Sequence, residues 1–431
     1  MRILILVDAY LPSTRSGAKQ IHDLGVEFRR QGHQVTILAP SHAIPERLDA
    51  RWEDGLNVLR VRMANIKRAN RALRAFEEAR LPKRLWRRAG RLLRESPCDL
   101  VVFYSPTIFF GELVRRLKAE YRCPAYLILR DIFPQWAVDV GILRQGPVLG
   151  YFRRKERQQY AVADTIAVQS QADLAYFSRN VPVTGSRIEL LYNWASTEER
   201  NVPVTNYRWR FGLQDKVVFF YGGNLGVAQD VGNLMRLAAN VSHDSRIYFV
   251  IVGEGTCSAE LRQAIAARGL KNLLLLPPVD QREYLGMAAE FDVGLVTLDR
   301  RLQTHNVPGK ILSYLYWGMP VLASINPGND LFAILRESHA GFCLANGNDA
   351  ELAAAALKLA EDPALRAAMG RNGRRLLEQK FSARAAADQI LRPFTRPSHT
   401  VEVAPAAAAV GFPPIPANSA ATSKASCSTD S

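Results

Sequence analysis

The feature that most constrains this chain is a repeated alternation of short β-type apolar runs with longer helical patterns, which restarts once near the middle. Such alternation is the signature of parallel βαβ units, in which each strand is buried on both faces and a helix carries the crossover. The first unit reads directly. Ile3 to Val7 is a predicted strand, Pro12 to Gly17 a loop and Ala18 to Arg30 a helix, ended by Gly32-His33 before a strand over Val35 to Leu38. Further strands are expected at Leu100–Tyr104, Ala125–Leu129, Thr165–Val168 and Ile188–Leu191. The polar stretch from Thr197 to Tyr207 holds Pro203 and reads as a linker. Strands then resume at Val217–Tyr221, Ile247–Val252, Leu273–Leu276, Val293–Thr297 and Val321–Ala323. Helices are expected at Gly232–Asn240, Ile311–Tyr316, Ala350–Ala360 and, as a last amphipathic element, Phe381–Phe394. The expected division is residues 1–198, residues 207–380, a crossing helix over 381–396, and a disordered Pro-, Ala- and Ser-rich tail over 397–431.

A chain of 431 residues, 48% hydrophobic, is too long for one core and can fill two. Its five cysteines form no CxxC pair and are odd in number, which fits free thiols in a reducing cytosol rather than a disulfide framework or zinc site. No apolar run approaches the roughly 20 residues of a membrane span, so the expectation is a cytoplasmic protein, soluble or peripheral on the inner face of the cytoplasmic membrane. The net charge of +15 is concentrated: Arg60 to Arg94 holds thirteen Lys or Arg against Glu77 and Glu78. With Leu73, Phe76, Leu81, Leu85, Trp86, Leu92 and Leu93 interleaved, this stretch reads as basic amphipathic helices. Such a surface attracts an anionic membrane surface or polyphosphates, or is simply a solvated helical face. No helix-turn-helix, RRM-like or zinc pattern accompanies the charge, so nucleic acid is not an expected partner.

Ligands of open α/β sheets bind beyond the carboxyl ends of the strands. The first phosphate-loop candidate, Tyr221-Gly-Gly-Asn-Leu-Gly226, joins a strand to a helix, and its glycines would let backbone N–H groups approach a diphosphate. It is neither a GxGxxG fingerprint nor a Walker A loop, and a strand-to-helix turn of this kind taken alone is more often merely a tight turn. The second, Thr304-His-Asn-Val-Pro-Gly-Lys310, runs into a helix and puts Lys310 where a β-phosphate would sit. The third, Val252-Gly-Glu-Gly255, follows a strand and places Glu254 in a turn.

In this order the pieces resemble the GT-B glycosyltransferases, specifically the large retaining family four, over roughly residues 1 to 395. The resemblance rests on Pro12 to Gly17, the Arg-Gln-Gly-His-Gln-Val-Thr segment, the two glycine loops, Ala288-Ala-Glu-Phe-Asp-Val-Gly-Leu-Val296 and Gly318-Met-Pro-Val-Leu-Ala323. Leu129-Arg-Asp-Ile-Phe-Pro134, Tyr192-Asn-Trp-Ala-Ser196 and Val307-Pro-Gly-Lys-Ile-Leu-Ser-Tyr314 narrow it to bacterial O-antigen and capsule transferases of the N-acetylfucosamine transferase type. The resemblance implies an α/β fold of two Rossmann-like domains with parallel sheets facing a central cleft, the last helix crossing back onto the first domain. It implies transfer of a hexosyl or N-acetylhexosaminyl group from a nucleotide sugar, by default a UDP-sugar, with retention. The acceptor would be an undecaprenyl-diphosphate-linked or other glycan, in surface polysaccharide or lipopolysaccharide synthesis. No cofactor and no metal ion are expected.

Carried over residue by residue, Asp131 and Arg130 stand where the family often has a His-Asp pair facing the transferred sugar. Asp131 would orient the acceptor hydroxyl, and Arg130 would contact the sugar or leaving phosphate. Gly17, Gly223, Asn224, Glu254, His305, Lys310 and Ser313 are the expected donor-binding residues. The chain departs from the common pattern at four of its positions. Asn224 and Gln229 replace an Arg and a Lys in the glycine loop, and His305 and Ser313 replace two glutamates, which puts the ribose contact in doubt. These departures keep two other readings open, a non-catalytic subunit of a polysaccharide assembly complex and a sugar-nucleotide epimerase.

Overall fold

The computed structural model describes residues 1–13, 15–63, 71–139, 142–181, 185–198, 202–302 and 306–394. The tail expected over 397–431 therefore lies outside the described residues, as does His305. Residues Met1–Phe394 form one compact unit.

In chain order, the first sheet's strands are β1 (Arg2–Leu6), β2 (Gln34–Ser41), β3 (Leu48–Glu53), β4 (Leu56–Arg62), β5 (Leu100–Tyr104), β6 (Ala125–Ile128), β7 (Thr165–Val168) and β8 (Arg187–Leu190). The helices among them are α1 (Ser16–Arg30), α2 (Arg71–Glu95), α3 (Gly111–Tyr121), α4 (Gln135–Asp139), α5 (Pro147–Tyr160) and α6 (Gln171–Asn180). The second sheet comprises β9 (Val217–Gly222), β10 (Ile247–Val252), β11 (Leu273–Leu276), β12 (Val293–Thr297), β13 (Val321–Ile325) and β14 (Gly341–Ala345). With it run α7 (Tyr207–Arg210), α8 (Val231–Asn240), α9 (Ser258–Arg268), α10 (Gln281–Glu290), α11 (Ile311–Tyr316), α12 (Leu331–Ser338), α13 (Asp349–Glu361), α14 (Pro363–Lys380) and α15 (Ala383–Leu391).

The first sheet has the order β3-β4-β2-β1-β5-β6-β7-β8 and the second β11-β10-β9-β12-β13-β14. All pairings are parallel except the edge pair β3–β4. This is the expected α/β architecture of two Rossmann-like domains. Each sheet is covered on both faces, which is why strands such as Leu100–Tyr104 and Val293–Thr297 are apolar throughout. On one face of the first sheet, Leu81, Leu85, Leu113, Leu117, Tyr160 and Phe177 of α2, α3, α5 and α6 form the core. On the other, Ile21, Leu24 and Phe28 of α1 pack with Ala386, Ala387, Ile390 and Leu391 of α15. The last helix thus completes the core of the first half.

The structure corrects the reading of Arg60 to Arg94 as helices throughout. Arg60 and Arg62 belong to β4, part of a hairpin the sequence reading did not contain. Val58 and Val61 supply its β-branched apolar residues. Arg60 is buried in a bidentate pair with Glu53, at 2.5 and 2.6 Å, and also donates to the Leu11 carbonyl at 2.9 Å. Its charge is therefore spent inside the fold. The last helix is also shorter than expected, because Phe381 ends α14 and Ser382 caps α15 by accepting from the Ala385 amide. Cys98 and Cys123, scattered in sequence, meet with sulfurs 3.7 Å apart as buried free thiols.

Candidate functional site

The carboxyl ends of the strands form two walls. On the second sheet, β9 enters the glycine turn and β10 ends beside it in Gly253-Glu254-Gly255. The Gly223 amide donates to the Val252 carbonyl at 2.9 Å, and the Leu225 amide to that of Glu254 at 3.0 Å. A Cβ on Gly253 would lie 1.9 Å from the Gly223 carbonyl oxygen, and one on Gly255 would lie 2.4 Å from the Leu225 backbone. Side chains are excluded there because the two turns touch backbone to backbone. The Glu254 carboxylate points outward, exposed.

Lys310 reaches this turn from the start of α11. Its Nζ lies 4.3 Å from the centre of the Tyr221 ring and donates to the Tyr221 hydroxyl at 3.2 Å. It stands beside Gly223, whose φ of +143° leaves the turn open toward it. No carboxylate among the described residues pairs with this ammonium, and burial pulls its pKa down to about 8. Asn224 is exposed, and its amide donates to Gln229 Oε1 at 2.8 Å. The two neutral residues standing where the resemblance implied Arg and Lys thus bind each other. Ser313 faces Tyr284, whose ring covers Gly222; burial pushes that hydroxyl up to about 12 against hydrogen bonds from Ser313 and Tyr314.

On the first sheet, Gly17 lets α1 pass directly over the Tyr104 ring, since a Cβ there would lie 2.9 Å from it. Arg130 Nη1 donates to Gln20 Oε1 at 2.5 Å and to the Tyr104 hydroxyl at 2.8 Å. Gln20 is held in turn by Asn193 Oδ1 and the Trp194 carbonyl, both at 3.3 Å, while Trp194 Nε1 donates to the Gln20 carbonyl at 2.8 Å. Asn193 and Trp194 therefore hold Gln20, and through it Arg130, in place. Asp131 reaches solvent from a recess crowded by protein atoms. That crowding raises its pKa, and the neighbouring Arg130 opposes the rise.

The structure thus gathers Gly223, Asn224, Glu254, Lys310 and Ser313 at one edge, and Gly17, Arg130 and Asp131 at the other. The two edges meet where Asp330 accepts from the Gln171 amide at 2.9 Å and from the Tyr192 hydroxyl at 3.0 Å. Sequence reading assigned no role to Gln20, Tyr104 or Tyr284. Gln20 lies one turn after Gly17 on α1, but nothing local marks a partner 110 residues away. Among the described residues, no group of three His, Cys, Asp or Glu side chains is placed to hold a metal ion.

Residues 17–194 match the family described as "Glycosyl transferase 4-like domain", and residues 204–376 match "Glycosyl transferases group 1". The chain belongs to the group 1 GT-B glycosyltransferases. Among curated members it is 26% identical over 243 residues to the alpha-D-kanosaminyltransferase of Streptomyces kanamyceticus, covering 55% of this chain and 62% of that protein. It is 25% identical over 226 residues to the probable glycosyltransferase WbjE of Pseudomonas aeruginosa, covering 50% of this chain and 54% of the relative. The matches span less than two thirds of either relative's length. Among solved structures, Anabaena HepE in complex with UDP superposes with a TM-score of 0.61 at 16% identity, over 91% of this chain and 99% of that one. WaaG, a glycosyltransferase involved in lipopolysaccharide biosynthesis, gives 0.57 at 14% identity, over 90% and 99%. In this GT-B chain the two glycine turns and Lys310 stand together at one edge, with the neutral Asn224 and Gln229 beside them.

Proposed function

We propose that the chain transfers a hexosyl or N-acetylhexosaminyl group from a UDP-sugar to a hydroxyl of a glycan or lipid-linked acceptor. The observation that carries this reading is Lys310, a half-buried ammonium with no acidic partner among the described residues, held against an open glycine turn. An anion placed there recovers the charge stabilisation that burial removes, and a nucleoside diphosphate brings it. UDP is favoured because HepE, similar in fold, is solved in complex with UDP.

In the reaction, the bond from the anomeric carbon to the β-phosphate oxygen breaks as the acceptor oxygen bonds to that carbon on the same face. The acceptor proton passes to the departing phosphate, and UDP leaves. Lys310, at the Gly223 turn, meets the charge developing on the diphosphate, without a metal ion. Asp131 accepts a hydrogen bond from the acceptor hydroxyl. Arg130, pinned by Gln20 and Tyr104, presents its cation to the sugar or leaving phosphate. Ser313 lies on the ribose side as a neutral partner. A role in bacterial surface polysaccharide synthesis, on the inner face of the cytoplasmic membrane, fits the likeness to WaaG and the basic α2. The described helices include none long and apolar enough to cross a membrane.

Calorimetric titration with UDP, GDP and their sugar conjugates tests the reading. Lys310→Ala should weaken UDP binding by about tenfold or more, since a hydrogen bond to a charged group contributes about 1.5–3 kcal/mol. Absence of nucleotide binding, or unchanged affinity in the variant, would refute it.

A further inference from the structure

Much of the chain's positive charge lies in a place the proposed transfer does not use. Helices α2, α3 and α5 cover one face of the first sheet with sixteen Lys or Arg against six Asp or Glu, ten of the net +15. Beside the end of β4, five arginines line one cavity of about 350 Å³. They are Arg47 from the turn before β3, Arg62 of β4, and Arg84, Arg87 and Arg88 of α2. Glu77 engages Arg84, and Arg62 donates to the Pro45 carbonyl at 2.6 Å. Among the described residues, no carboxylate pairs with Arg47, Arg87 or Arg88, and no acidic or aromatic side chain lines the cavity.

Guanidinium groups keep their charge at every physiological pH, so their convergence is repulsive unless an anion joins them. Their planar forks match phosphate oxygens two at a time. A cavity of arginines without an aromatic wall recognises charge rather than a nucleobase. We infer that this pocket binds phosphate groups, either those of a soluble diphosphate or those of anionic lipid headgroups. Arg62 pairs with Ser41 at the carboxyl ends of β4 and β2, so the pocket opens on the same sheet edge as Arg130. Four strand spacings separate β4 from β6 in the sheet order, roughly 19 Å. A phosphate-bearing molecule or surface held there lies alongside the candidate cleft without filling it.

The test uses the intact chain, with inorganic pyrophosphate in calorimetry and phosphatidylcholine vesicles containing phosphatidylglycerol in co-sedimentation. The pocket variant R47Q/R87Q/R88Q is compared with R268Q/K271Q/R371Q, which removes three charges from the second half. Pyrophosphate affinity should fall about tenfold or more in the pocket variant and stay near wild type in the other. Vesicle binding lost in the same variant identifies the source as a headgroup, and pyrophosphate binding without vesicle binding identifies a soluble phosphate. Failure of both probes to bind, or equal weakening in the two variants, would overturn the inference. Titration with UDP separates this site from the donor site, since the pocket variant should keep the wild-type response. An equal loss of UDP affinity there would place the effect at Lys310 and also overturn it. If UDP binds neither protein, the pyrophosphate comparison stands by itself.

Discussion

Lys310 couples the donor edge to pH. With its pKa lowered from 10.5 to about 8, it is charged at neutral pH and loses the proton as pH rises through about 8. UDP affinity should therefore fall above that pH, and the fall should vanish in Lys310→Ala. Titrations in buffers of different ionisation enthalpy would register proton uptake on binding near pH 8. The same shift acts on stability with a defined sign. Between about 8 and 10.5 the unfolded chain holds the proton that the folded chain has lost, so this residue's contribution to stability rises with pH across that window. Asp131→Asn should lower kcat by about a hundredfold while leaving UDP affinity unchanged, as measured by initial rates alongside calorimetry. Lys310 and the glycine turns were legible in sequence because each is written within one strand–turn–helix step. Gln20, which holds Arg130 in place, was not, because its meaning depends on Tyr104, Arg130 and Trp194, brought together only by the sheet.

At the scale of elements, the glycine turns are the tightest packing around the candidate site. Gly255→Ala would force a methyl group against the Leu225 backbone and should destabilise the fold by about 2 kcal/mol or more, read by denaturant unfolding. UDP affinity should fall with it, because the displaced backbone is the phosphate loop. Parallel strands buried on both faces were recognisable as apolar runs, and the α/β class followed from their alternation with helices. The β3–β4 hairpin was not recognisable, since Arg60 and Arg62 look like surface charge until Glu53 is seen closing on Arg60. Removing that guanidinium would leave a carboxylate without its partner, the costlier half of breaking a buried pair.

For the molecule as a whole, two sheets, each with a core on either face, are tied together by polar contacts that include those of Asp330. Asp330→Ala removes the acceptor for both Gln171 and Tyr192. It should widen the separation of the halves, seen as a larger radius of gyration in solution scattering without nucleotide. The doubling of the α/β pattern was visible in sequence, but the surfaces that join the halves were not, because single residues far apart in the chain make them. The last helix has a consequence of another kind. Ile390 and Leu391 sit in the core beside Ile21 and Phe28, so the first half is completed by residues that the ribosome makes only after the second. Domains that fold as they are synthesised usually close in order from the N-terminus. Here the nascent first half must wait, with one face of its sheet only partly covered, while nearly two hundred residues of the second half emerge.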